Sequence, residues 1–312
     1  MRTRNWSLFF IVIVIALALQ PVLDHFGLVS GELTSVSSTK TAAAAEQPSV
    51  ESVLIVSVDG LRPDALRQAN TPNMDSLWKD GSYTWAAKTV LPSVTLVAHA
   101  SMLTGVEPAR HGIDWNRDSP EKGVIQVPTV FDYAKKAGLT TAMIVGKSKL
   151  SHLRRPDVVD YYVHAGYTDV RVGDVASEYL LVSSPNLCFI HFPGPDSAGH
   201  AVGWMSDAQI KAIEETDANI GRILSSLRAR GTASRCAIIV TADHGGHEKT
   251  HGTASDEDMT IPWICWGNGV KKSHLLQGKV GVCDTAATAL SALGIAPPEA
   301  WDGRVVSDAF ER

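Results

Sequence analysis

The segment TADHGGHEKTHGT, Thr241 to Thr253, sets Asp243 beside His244 and follows them with His247 and His251. Carboxylate oxygen and imidazole nitrogen together suit zinc, or a similar divalent ion such as manganese or iron. The apolar run CAIIV comes just before, so Asp243 and His244 stand at the end of a predicted strand. Two other apolar runs end the same way: VLIVSV leads into Asp59, and LCFIHFPGP leads into Asp196 and His200. Five such donors exceed the three protein ligands of a catalytic tetrahedral site that keeps one position open. Two sites are the economical reading, and a pair of ions about 4 Å apart suits phosphoryl transfer.

A nucleophile has to lie on a turn close by. In LPSVTLVAHASMLTGVEPARHGI, Pro92 closes an extended stretch and Thr95 opens a predicted helix reaching Leu103. A helix N-terminus presents free N–H groups and a positive dipole end, both favourable to a phosphate. A threonine hydroxyl beside a divalent ion can lose its proton near neutral pH and attack phosphorus. Residue type leaves a second reading open, in which Thr95 is simply the N-cap. His99 falls on the same helix and reads as structural, His111 reads as a loop residue or one lying behind the ligands, and His191 lies in the strand before Asp196, where it could orient ligands or equally be a core residue.

Donors so far apart in sequence need a fold that gathers them. SVLIVSVDG, TTAMIVGK, LCFIHFPG, CAIIVTADHG and IPWICWG are short apolar runs with the look of buried parallel strands. Helical stretches separate them: VPTVFDYAKKAG, DVASEYLLVSS and SDAQIKAIEETDANIGRILSSLRARG. The alternation predicts an α/β fold, a mainly parallel central sheet with helices on both faces. Ligands in such folds sit outside the carboxyl ends of the strands, where Asp59, Asp196, His200, Asp243 and His244 all stand. Near the end, CDTAATALSALGIAPP predicts a helix with Asp284 as N-cap and Gly294 with prolines as its stop. Lys147 and Lys149 follow a strand and read as solvated loop lysines.

With 45% hydrophobic and 20% charged residues, the 312-residue chain can bury a large core. Arg2 and Arg4 precede an apolar stretch from Leu8 to Leu19, so residues 1–23 read as a signal peptide or membrane anchor, with 24–50 as a linker and 51–312 as a single catalytic domain. That layout predicts export: a periplasmic, extracellular or membrane-anchored protein working outside the cytoplasm. The net charge of −5 and the absence of any basic run longer than a pair exclude an evident nucleic-acid groove. Cys188, Cys236, Cys265 and Cys283 lie in or beside apolar runs, outside any CxxC pair, and read as buried free thiols.

Taken together, VSVDGLRPD, PSVTLVAHASMLTGVEPARHGI, PGPDSAGH, TADHGGHEKTHGT and MTIPWICWGNGV, in that order, resemble the alkaline phosphatase superfamily and within it the type I phosphodiesterase and nucleotide pyrophosphatase branch. The resemblance covers residues 52 to 310. It implies an alkaline phosphatase-like fold, with Asp59, Thr95, Asp243 and His244 as ligands of one zinc and Asp196, His200 and His251 as ligands of another. It also implies that Thr95 attacks a small-molecule phosphate ester, forming a phosphothreonine that water then hydrolyses. His247 receives no metal and is expected at the rim. One position departs from the pattern: three residues past Thr95, where an asparagine donor to the phosphate is expected, the chain has Ala98. A lost donor costs on the order of 3 kcal/mol in transition-state binding unless another group replaces it.

The resemblance leaves a phosphodiesterase favoured over a phosphomonoesterase, with a phosphonate hydrolase as a further enzyme reading. A sulfatase is disfavoured because no CxPxR or SxPxR segment occurs, and a cofactor-independent mutase because the nucleophile is threonine and no room remains for its extra domain. A membrane-tethered binding protein with a retained metal site is the non-enzymatic alternative.

Overall fold

The computed structural model describes residues 50–311, so the predicted export segment and all but the last residue of the linker lie outside the described residues. The strands are β1 Ser52–Val58, β2 Ser82–Lys88, β3 Thr141–Val145, β4 Tyr161–His164, β5 Leu187–Phe192, β6 Cys236–Thr241, β7 Thr260–Gly267 and β8 His274–Leu275. They form one sheet in the order β4-β3-β5-β1-β6-β7-β2-β8. Every pairing is parallel except those that β7 makes with β6 and β2.

The five predicted strands all form. β1, β3, β5 and β6 are buried at every position, which is why each reads as an unbroken apolar run. β2, β4 and β8 were not predicted. β4 is half-buried throughout and lies at one end of the sheet, and β2 mixes buried, intermediate and exposed positions around a register shift between Thr84 and Ala87. Neither carries the continuous apolar signal of a central strand.

Two groups of helices sandwich the sheet. Thr95–Thr104, Val130–Lys136 and Asp284–Ala292 pack together on one side, whereas Pro72–Lys79, Asp169–Val182 and Asp207–Arg230 pack together on the other. Asp284 corrects an expectation. Cys283 is the cap and Asp284 the first helical residue, because its carboxylate is turned to the flanking loops, accepting N–H bonds from Gly281 and Arg304 at 2.7 Å each. The four cysteines are free and buried. Among the described residues no helix is long and apolar enough to cross a membrane.

Strand order is what assembles the site. β5, β1 and β6 are neighbours, and their register pairs Val58 with Phe192 and Ser57 with Thr241. Asp59, the loop after Phe192 and the Asp243-His244 pair therefore leave the sheet side by side at one edge. Phe189, fully buried on β5, supports that edge from beneath by meeting the His99 ring edge-on at 5.7 Å. Phe189→Ala is expected to lower unfolding stability by about 3–5 kcal/mol, read as a drop in the denaturant midpoint without a change in its slope.

Candidate metal and nucleophile site

Thr95 is the first residue of its helix, and Val94, extended at φ −129° and ψ 149°, is the cap. The N-cap reading of Thr95 is thereby corrected: its hydroxyl is not spent on the helix. The Leu96 N–H is instead accepted by Asn116 Oδ1 at 2.9 Å, from a loop twenty residues on. Thr95 Oγ1 lies 3.5 Å from His244 Nε2. The same nitrogen is 3.4 Å from Asp59 Oδ1 and 3.3 Å from Asp243 Oδ2, so the four residues expected to share one ion meet around a single point.

Asp196, His200 and His251 form a second group. Asp196 and His200 are one helical turn apart on Gly194–Val202 and present the same face, with Asp196 Oδ1 3.4 Å from His200 Nε2 and 3.5 Å from His251 Nε2. The ligating atoms of this trio all fall within 4.8 Å of one another. Asp59, Asp196 and His244 meet the same limit, so the two groups adjoin.

Hydrogen bonding sets the histidine tautomers. Nδ1 of His244 lies 2.8 Å from the Gly245 carbonyl, Nδ1 of His251 2.8 Å from the Ser93 carbonyl, and Nδ1 of His200 3.0 Å from the Lys249 carbonyl. A carbonyl only accepts, so each Nδ1 carries the proton and each Nε2 presents a lone pair. His200 Nε2 and His251 Nε2 then face each other at 3.1 Å, an arrangement that a cation between them relieves. Burial, reinforced by His244, pushes His251 down to about 4, and burial lowers His244 as well, which keeps both imidazoles neutral.

The carboxylates answer the same demand. Asp59 Oδ1, Asp196 Oδ1 and Asp243 Oδ2 are buried and receive no hydrogen bond. Unpaired buried carboxylate oxygens are costly unless a cation meets them. Burial and the neighbouring Asp59 charge drive Asp243 well above the usual carboxylate range. Asp59 goes the other way: burial alone would raise it, but the Lys147 ammonium and the His191 imidazole outweigh that and hold it low. Residue types, tautomers and orphaned oxygens in both groups, Asp59, Thr95, Asp243 and His244 in the first and Asp196, His200 and His251 in the second, are of the kind that fits a divalent cation.

Behind the donors lies a buried polar layer. His191 Nε2 is 2.9 Å from Asp59 Oδ2, so this histidine does orient a donor. His99, fully buried on the helix that Thr95 opens, joins Ser57 Oγ at 2.8 Å to the Thr95 carbonyl at 2.7 Å. Its role is structural, as expected, and it ties Thr95 to β1. The Gly60 turn, at φ 72°, brings the chain against Asp196, where an added Cβ would come 3.0 Å from the Asp196 Cα. His247 sits outside both groups, paired with the buried Asp258 at 2.7 Å. His111 closes the one-turn helix Pro108–His111, where it meets Ser101 Oγ at 3.0 Å.

Three further residues join the site. Lys147 is not a solvated lysine: its side chain is 12% exposed, and Nζ lies 2.7 Å from Asp59 Oδ2 and 2.5 Å from Asp196 Oδ2. It comes off the end of β3, the neighbour of β5, so the rule that placed Asp59 and Asp243 also places Lys147. Lys149 follows, with Nζ 3.1 Å from Asn116 Oδ1. Asn116 has no local sequence signal, since its contacts are made across a loop. It brings an amide to the start of the helix that Thr95 opens.

The profile described as type I phosphodiesterase / nucleotide pyrophosphatase matches residues 53–257. The chain belongs to that family. It is 28% identical over 214 residues to the bis(5'-adenosyl)-triphosphatase enpp4 of Xenopus laevis, covering 63% of this chain and 47% of that protein. It is 26% identical over 240 residues to ectonucleotide pyrophosphatase/phosphodiesterase family member 5 of Homo sapiens, covering 71% and 50%. A 2,3-bisphosphoglycerate-independent phosphoglycerate mutase of Haloquadratum walsbyi is 26% identical over 284 residues, covering 82% and 52%. The chain thus spans about half the length of these relatives. Among solved structures, an inactive murine ectonucleotide pyrophosphatase / phosphodiesterase 5 with AMP superposes at a TM-score of 0.68 with 17% identity, covering 84% of this chain and all of that one. A 2-O GAG sulfatase superposes at 0.69, also with 17% identity, covering 82% and 73%. These likenesses establish the alkaline phosphatase-like fold.

Elemental analysis of zinc-equilibrated, dialysed protein is expected to find two divalent ions per chain, and one each in His244→Ala and His200→Ala. Two ions retained by either variant would remove that histidine from its ligand set.

Proposed function

We propose that the protein is a metal-dependent phosphoric-ester hydrolase, a phosphodiesterase or nucleotide pyrophosphatase-like enzyme that works through a phosphothreonine at a two-zinc site. The observation that carries this reading is the uncommitted Thr95 hydroxyl, at a helix N-terminus and 3.5 Å from His244 Nε2 within the Asp59, Asp243 and His244 group. When bound, the ions would supply Lewis-acid stabilisation of the transferring phosphoryl group and ease loss of the Thr95 proton.

The chain's own residues account for the remainder. Thr95 Oγ attacks phosphorus in line, and the ester oxygen leaves from the opposite side. Asn116 is held by two donors on Oδ1, the Leu96 N–H and the Lys149 ammonium, so its Nδ2 is the corner left to donate to a phosphoryl oxygen. Burial tends to lower Lys147, but Asp59, Asp196 and Asp243 outweigh it and keep the ammonium charged beside the donors. His191 keeps Asp59 in its rotamer. Water then attacks the phosphothreonine from the side the alcohol left, releasing phosphate or a monoester. The cationic N-terminus with its apolar stretch supports export, placing the catalytic domain outside the cytoplasm with a membrane contact if the segment is uncleaved.

Zinc-loaded protein is expected to hydrolyse bis-p-nitrophenyl phosphate, and Thr95→Ala to abolish turnover. Asn116→Ala should lower kcat by roughly 10²–10³-fold, the usual cost of one donor to a developing oxyanion. Undiminished hydrolysis by Thr95→Ala would eliminate threonine as the nucleophile, and faster cleavage of p-nitrophenyl phosphate would make the enzyme a monoesterase. The Lys147 and Lys149 pair favours a second reading, a phosphonate hydrolase whose substrate carries another anionic group beside phosphorus. Phosphate released from phosphonoacetate, with neither ester cleaved, would select it.

A further inference from the structure

We infer that Asp169 is a positioning residue for the second metal site: its carboxyl fixes the start of the helix Gly194–Val202 and with it the places of Asp196 and His200. The inference rests on the two-metal reading of the preceding subsection.

Asp169 opens the helix Asp169–Val182 and is 3% exposed. Its Oδ1 accepts the Gly194 N–H at 2.7 Å, and its Oδ2 meets Thr216 Oγ1 on the helix Asp207–Arg230. One carboxyl thus joins three helices, and the Gly194 N–H it satisfies belongs to the unpaired first turn of the helix that carries two donors. Gly194 has to be glycine for this contact, because a Cβ there would fall 2.6 Å from Asp169 Oδ2. On its other side the helix start presses against β3: a Cβ on Gly146 would come 2.3 Å from Pro193 Cδ. Pro193 and Gly194 are therefore held between the Gly146 turn and the Asp169 carboxyl.

The proton count is consistent with a neutral acid in this role. Thr216 Oγ1 also lies 2.9 Å from the Ala212 carbonyl, and its single proton cannot serve both oxygens. A protonated Asp169 donating to Thr216, while Thr216 donates to Ala212, satisfies every atom. Burial, with smaller contributions from Glu215 and Asp59, pushes Asp169 up to about 7. An asparagine could make the same bonds, accepting from Gly194 through Oδ1 and donating to Thr216 through Nδ2.

Asp196 and His200 share one helix face, so a shift of the first turn moves both donors together, and metal–ligand distances tolerate only about 0.2 Å. Residues that orient metal ligands typically govern affinity by roughly tenfold to a hundredfold.

The test is a zinc titration of full-length protein with bound metal counted per chain, on wild type, Asp169→Asn, Asp169→Leu and Gly194→Ala. Asp169→Leu and Gly194→Ala are expected to hold the first ion as wild type does and to bind the second about tenfold to a hundredfold more weakly. Asp169→Asn should bind both ions as tightly as wild type does. Equal weakening of both ions, failure of Asp169→Asn to rescue, or two tight ions in Gly194→Ala would each overturn the assignment, and the last decides it even if Asp169→Leu does not fold. A wild type that holds a single ion would instead refute the two-metal reading itself.

Discussion

Three buried carboxylates at one sheet edge are the constraint on which the rest of this structure turns. Asp59, Asp196 and Asp243 are each at most 3% exposed, and each offers an oxygen that no hydrogen bond satisfies. Charges cannot be buried unpaired, and like charges cannot be buried together, without compensating cations. Lys147 answers part of this demand by reaching both Asp59 and Asp196. The imidazole lone pairs aimed at the same points add to the demand. A donor set of this kind has the chemistry of a cation-site lining.

That demand also explains why the layer behind the donors is polar where a core is normally apolar. His99 and His191 are fully buried with ring centroids 5.0 Å apart, yet each is bonded at both nitrogens or to a donor residue. Burial lowers both, so they stay neutral and act as hydrogen-bonding props. An apolar layer would pack as well but would leave Asp59 free to rotate and the helix that Thr95 opens free to slide along β1. Rigidity here keeps Thr95 and the Asp59, Asp243 and His244 group at a fixed spacing.

The central strands and the positions of Asp59, Asp196, His200, Asp243 and His244 were legible in the sequence because a strand buried on both faces writes itself as an unbroken apolar run. The polar residue ending the run is then conspicuous. β2 and β4 escaped because half-buried strands leave no such run. Lys147 escaped for a different reason: it ends β3 as Asp59 ends β1, but lysine reads as a surface residue until the acids it faces are seen. Asn116 could not be found at all, since its bond to Leu96 depends on a loop returning over the helix. The sequence shows donors at strand ends and hides residues whose partners come from elsewhere.

The thirteen residues from Thr241 to Thr253 show how one loop can supply two groups of donors. Asp243 and His244 leave the sheet directly and stay with Asp59. The chain then turns at Gly245 and Gly246 and forms a short antiparallel bridge between His247 and Thr250, which carries His251 back over the first pair. The His244 and His251 rings stack at 3.7 Å, so each fixes the other's plane while their Nε2 atoms serve different groups. Asp258 locks the bridge from behind by binding His247 and, through its other oxygen, Thr253. His247 thus holds the hairpin that brings His251 home. A histidine that looks like a surplus ligand in sequence is here what sets another among the donors.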